Sequence, residues 1–170
     1  VERYLQVEQI LELESSHWQA PFPECKISGS LQEAEELAKR VRHEWSLGDG
    51  PLTNVTEILE EKGLKVLVVR LPKPVSGLTC LVNRPTLAPV PVIIVNQEYP
   101  LERRRMTLAH ELSHRLVSSD SLITVKEIEK FCTRLGSAWL MPAEHVRREV
   151  GEKRHSLSYR EIMHFKALYR

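Results

Sequence analysis

The run Met106-Thr107-Leu108-Ala109-His110-Glu111-Leu112-Ser113-His114-Arg115-Leu116 constrains this chain more than any other stretch. Its apolar residues recur at helical spacing. At 100° per residue, Leu108, Ala109, Leu112 and Leu116 form one stripe, and Met106, His110, His114 and Val117 form a second on another side. One stripe can anchor the helix in a core while the other faces a cleft. His110 and His114 stand one turn apart, so two imidazoles can converge on one ion. Neutral imidazole suits zinc (Zn2+), and a catalytic zinc site takes three protein ligands and keeps one position open. Glu111 sits at the edge of the same face. There it can act on a water as a general base without ligating the metal.

A third ligand is required, and spacing alone does not choose it. Downstream candidates are Glu127, Glu129, His145 and His155. Glu129 falls fifteen residues after His114, on the next expected helix, where an antiparallel neighbour can reach the metal. Glu127 points to a different side of that helix, so both cannot be ligands.

Around this helix the sequence reads as helices, then a small sheet, then a helical half, which makes the fold class α+β. Val1 to Glu14 has a helical pattern. Pro21, Pro23 and Ser28-Gly29-Ser30 break it, and residues 20–30 read as a linker. The domain is expected over 31–170, behind a connector and linker at 1–30. It opens with Ser30 as an N-cap, with Glu33 in capping-box position. Leu31, Ala34, Leu37, Ala38, Val41 and Trp45 follow on a helix that ends at Gly48-Asp49-Gly50-Pro51. A second short helix stops at Gly63. Lys65–Arg70, Gly77–Val82 and Val90–Val95 read as strands. Helices are then expected at about 101–118, 124–140, 142–150 and 157–168. Trp45 and Trp139 read as core aromatics.

Charge excludes some functions. Lys and Arg number 24 against 23 Asp and Glu, a formal charge of +1, so no nucleic-acid surface is expected. No apolar run approaches the ~20 residues of a membrane span. The cysteines, Cys25, Cys80 and Cys132, cannot all pair within the chain and form no Cys-x-x-Cys, which points to a reducing, cytoplasmic setting. Arg103-Arg104-Arg105 is expected at the start of the metal helix, solvated or paired to glutamates such as Glu98. The edge of a strand opening at Ser76-Gly77-Leu78 is a candidate to hold an extended peptide. Tyr99, His145, His155 and Tyr159 are candidate oxyanion donors.

Two blocks resemble the ImmA/IrrE family of metallopeptidases. The first is Val92-Ile93-Ile94-Val95-Asn96 followed by Glu102 to His114, similar to a family run of Arg-Arg-Phe-Thr-Leu-Ala-His-Glu-Leu-Gly-His. The second, Glu129 to Pro142, has the length of the family's Glu-x-x-Ala-Asn-x-Phe-Ala-Ala-x-Leu-Leu-Met-Pro and ends Trp139-Leu140-Met141-Pro142. Trp45 to Pro51 and the helix from Glu57 to Gly63 also resemble it, so the resemblance covers roughly 31–150. It departs at Ser113 for Gly, at Cys132-Thr133 for Ala-Asn, and at Leu135-Gly136-Ser137 for Phe-Ala-Ala.

The resemblance implies a zincin-like metallopeptidase fold. It implies His110, His114 and Glu129 as zinc ligands and Glu111 as the catalytic base. It further implies a cytoplasmic, regulatory metallo-endopeptidase that acts on a protein, such as a helix-turn-helix transcriptional repressor. The alternative is a non-proteolytic domain that senses a metal or ligand within a helix-turn-helix regulator. The substitutions after Glu129 favour that alternative, because Thr133 stands where an Asn would support Glu129, and so does the apparent remnant of a fusion at the start of the chain. Val1 to Glu14 resembles the connector that follows a DNA-binding domain in fused members, so such a domain is expected ahead of Val1. A homodimer is compatible with this reading.

Overall fold

A computed structural model of the chain describes residues 2–11, 17–84, 88–118, 120, 122–152 and 156–169. Helix α1 (Glu2–Ile10) comes first. The Ser30 side chain then caps α2 (Leu31–Glu44) by accepting from the Glu33 N–H. Glu33 does not complete the capping box at Ser30. Its carboxylate accepts instead from the Ser28 N–H at 2.9 Å and the Ser28 hydroxyl at 2.7 Å. Ala34, Leu37, Ala38 and Val41 are buried as expected, whereas Leu31 lies exposed on the first turn.

Asn54 caps α3 (Val55–Glu61). Gly63 then turns the chain with φ of +86°, a left-handed conformation that glycine adopts without steric cost. Three strands follow: β1 (Lys65–Val69), β2 (Gly77–Val82) and β3 (Val90–Asn96). Their order is β1-β3-β2, with β1 parallel and β2 antiparallel to β3. Val90, Val92, Ile93 and Val95 are buried, as a central strand covered on both faces requires. The strand runs one residue beyond expectation, to Asn96, which is fully buried. The Asn96 side-chain oxygen accepts from the N–H groups of Leu71 and Glu98, and its amide donates to the carbonyls of Leu71 and Val75. One side chain thereby fixes the connection that leads into edge strand β2.

The rest is helical: α4 (Leu101–Leu116), α5 (Val125–Leu140), α6 (Ala143–Val150) and α7 (Tyr159–Leu168). The architecture is therefore α+β, with seven helices and a three-stranded mixed sheet among the described residues. Leu108, Ala109, Leu112 and Leu116 are buried, so the stripe expected to anchor α4 does so. Each fully buried leucine of this kind stabilises by about 1.5–3 kcal/mol relative to exposure. Trp45 and Trp139 are core aromatics and meet edge to face at 6.2 Å.

The segment read as a linker instead packs on this core. Phe22 and Ile27 are buried. Cys25 pairs with the end of α4, donating its N–H to Leu116 and accepting from Ser118. The prolines stiffen an anchored strap.

Gly136 sets how closely α5 approaches α4. A Cβ there would lie 2.9 Å from the Ala109 carbonyl carbon and 3.0 Å from the His110 nitrogen. Mid-helix glycine costs about 1 kcal/mol relative to alanine. Here it lets two helix backbones touch at the metal helix. The Ser113 hydroxyl donates to the Ala109 carbonyl oxygen at 2.8 Å, and a Cβ on residue 136 would sit 3.1 Å from the same oxygen. Ser113 and Gly136, two departures from the family run, thus meet at one carbonyl.

Candidate metal centre

The i, i+4 spacing on α4 brings the Nε2 atoms of His110 and His114 to 3.1 Å. From α5, Glu129 reaches both: Oε2 lies 3.2 Å from His110 Nε2 and Oε1 lies 3.4 Å from His114 Nε2. These three residues form the group of potential metal ligands found among the described residues. Glu127 does not join them. Its carboxylate closes a capping box with Thr124 at the start of α5. His145 bonds Tyr169 at 2.6 Å instead, and His155 lies outside the described residues.

The donor set fits a small tetrahedral cation. Ligand bonds of about 2.0–2.1 Å in a tetrahedron separate donor atoms by roughly 3.3 Å, close to the three distances here. The outer ring nitrogens support the same protonation pattern. Thr133 Oγ1 donates to the Glu129 carbonyl at 2.9 Å and lies 3.2 Å from His110 Nδ1. With its proton spent on the carbonyl, the hydroxyl accepts from His110 Nδ1–H, which leaves a lone pair on Nε2. Cys132 Sγ lies 3.6 Å from His114 Nδ1. Burial, then the charges of Glu129 and Glu111, push its thiol up to about 12. It stays protonated and faces the side of the ring away from Glu129, so it is placed as an outer neighbour. Burial, followed by the nearby His110, lowers the pKa of His114 and favours the neutral ring that a ligand needs. Two imidazole lone pairs and a carboxylate then converge, and a cation satisfies all three at once.

Glu111 is buried at the floor of the adjoining cleft. Burial first, and the Glu129 charge second, raise its pKa to about 7, while Arg115 and a hydrogen bond from the Thr79 backbone oppose the shift. In metal-free protein, the folded state therefore holds a proton on Glu111 between pH 4.5 and 7 that the unfolded chain has released. Stability from this group is fully present below pH 4.5 and is lost as pH rises through 7. In chelated protein, Glu111→Gln is expected to raise the unfolding free energy at pH 8 by on the order of 3 kcal/mol, seen as a higher Tm, and to leave Tm unchanged at pH 4. Thermal melts at the two pH values check this, and a lower Tm at pH 8 would contradict it.

The cleft has a volume of about 720 Å³ and runs between α4 and the edge strand β2, with Ser76, Leu78, Thr79, Met106 and Thr107 on its walls. Gly77 permits the close approach, because a Cβ there would lie 2.5 Å from Thr107 Cγ2. The strand edge thus stands beside the metal helix, as the sequence suggested. The arginine run differs from expectation. Arg105 is buried and donates to the Leu52 and Thr53 carbonyls, and Glu98 pairs with Arg70. Arg103 alone of the three lines the cleft. None of the described oxyanion candidates lines it. The Tyr99 hydroxyl donates to the Lys73 carbonyl, His145 is held by Tyr169, and Tyr159 is exposed.

An α+β domain with paired helix histidines, an intervening glutamate and a carboxylate from the next helix defines a metallopeptidase-type domain that uses a metal cofactor. The model of the M78 peptidase family, the IrrE N-terminal-like domain, matches residues 59–169, roughly two thirds of the chain. The chain belongs to that family, and its architecture is consistent with a zincin-like member. No curated protein matches it. Among the described residues, no helix is long and apolar enough to cross a membrane.

Proposed function

We propose that this chain is a zinc-dependent endopeptidase of regulatory type that cleaves a protein, such as a helix-turn-helix transcriptional repressor. The observation that carries the zinc reading is the convergence of His110 Nε2, His114 Nε2 and Glu129 at 3.1–3.4 Å. These three residues would hold the ion. Bound zinc supplies Lewis acidity and lets water ionise near neutral pH. Glu111 takes the proton of the attacking water on its carboxylate and passes it to the leaving amine. The free edge of β2 binds the substrate in extended form, with backbone hydrogen bonds fixing its register.

A non-proteolytic sensor would keep the metal and dispense with Glu111. The contact between Thr133 and His110 favours the working centre, because the substitution for Asn still supplies an outer hydrogen bond. The expected result is peptide or repressor cleavage that stops on chelation and returns with one equivalent of zinc. Stoichiometric zinc without cleavage of any protein substrate would leave the sensor reading. Native protein that is stably folded and binds no zinc would end the peptidase and the metal sensor alike and leave only a sensor of some other ligand.

A further inference from the structure

We propose that Arg103 selects substrates with an acidic side chain about three residues beyond the cleaved bond, on its C-terminal side. The inference rests on the peptidase reading and names its substrate class.

Arg103 precedes His110 by seven residues, two helical turns, so both lie on one face about 10.5 Å apart along α4. The guanidinium is held in place. It stacks over the Tyr99 ring at 3.8 Å, and its Nη2 donates to the Ser76 hydroxyl at 2.9 Å. Tyr99 is itself tied to the Lys73 carbonyl. Much of the conformational entropy that a free arginine loses on binding has therefore been lost already. The nearby carboxylates are engaged elsewhere: Glu98 with Arg70, and Glu102 with Lys166. Ser76 takes one of its five N–H donors, and others remain for a forked contact to a carboxylate.

Direction follows from the cleft walls. Along β2 and α4, Ser76 meets Arg103, Gly77 meets Thr107, and the Thr79 backbone meets Glu111. Strand and helix therefore run the same way. The Ser76 carbonyl bonds to Asn96 of β3, so alternate residues Gly77, Thr79 and Leu81 turn their backbone groups to the free edge. A peptide added antiparallel to that edge runs from Thr79 toward Ser76. Its C-terminal half thus passes from the metal centre to Arg103. At about 3.4 Å per extended residue, 10.5 Å spans about three residues.

The test uses zinc-loaded protein and a peptide library, followed by matched peptides that differ only as Glu or Gln at the third position after the cleaved bond. Cleavage is read as kcat/KM, and binding is read with the Glu111→Gln protein. The native chain is expected to prefer the Glu peptide by about tenfold. Arg103→Gln should bring that ratio near one, and Arg103→Glu should reverse it toward a Lys peptide. An acidic preference that survives in Arg103→Gln would overturn the proposal, as would one on the N-terminal side of the bond. If no peptide is cleaved, the peptidase reading fails. Binding of the peptide library to the Glu111→Gln protein then decides Arg103: a preference for Glu over Gln that Arg103→Gln removes keeps the role, and its absence rejects it.

Discussion

Zinc-loaded Glu111→Gln protein is expected to keep its metal and to lose peptide cleavage by about 10²- to 10⁴-fold, the usual contribution of a positioned general base. The substitution keeps the side chain's shape. The Thr79 backbone that bonds the Glu111 carboxylate can still donate to the amide oxygen. What disappears is a group able to accept and return a proton. Glu111 lies outside the His110, His114 and Glu129 cluster, so zinc content measured by elemental analysis should stay at one per chain. Cleavage at the native rate would remove Glu111 from the mechanism. Loss of both zinc and cleavage would place it among the ligands.

Glu129→Ala is expected to lower zinc affinity by more than a hundredfold, since loss of a mere outer partner typically costs 10- to 100-fold. The stability that zinc adds to the same variant should be smaller by at least about 2.7 kcal/mol, the equivalent of that hundredfold. For the native chain, zinc at a thousand times its Kd would add about 4.1 kcal/mol by mass action. Glu127→Ala is the matched control. It removes the capping box with Thr124 at a cost of about 1 kcal/mol and should leave zinc affinity unchanged. Competition titration against a zinc-sensitive dye checks both, and equal affinities for the two variants would refute the ligand assignment.

These two glutamates also mark how much of the site the sequence made legible. His110 and His114 were readable because a helix has a fixed period and their apolar neighbours showed which helix it was. Glu129 was not readable from spacing, which left four candidates open, and only the family resemblance selected it. One local signal was there to exclude Glu127: Thr124-Val125-Lys126-Glu127 has the form of a capping box, which commits that carboxylate to a helix end. The arginine run was opaque for a different reason. Three identical residues fall at 100° steps around a helix, and only the packing of the Leu52–Thr53 loop decides that Arg105 is buried while Arg103 faces the cleft. Asn96 stands one residue past the expected strand, and its four hydrogen bonds go to backbone groups that no pattern identifies in advance. Residues 20–30 read as a linker because prolines dominate the stretch. Phe22, between the two prolines, and Ile27, four residues past them, decide its placement.

Gly136 makes the affinity for an ion depend on a residue that has no side chain and never meets it. The lone pairs of His110 and His114 are positioned by α4, and the carboxylate of Glu129 by α5. The gap between those rods is fixed where residue 136 rests on the Ala109–His110 peptide. A methyl group there would act as a shim that opens the helix pair. It would withdraw Glu129 two turns away while every ligand stayed in the sequence. The ion-binding motif of this chain is therefore longer than the residues that donate electrons to it, and it includes the hydrogen atom that sets their distance.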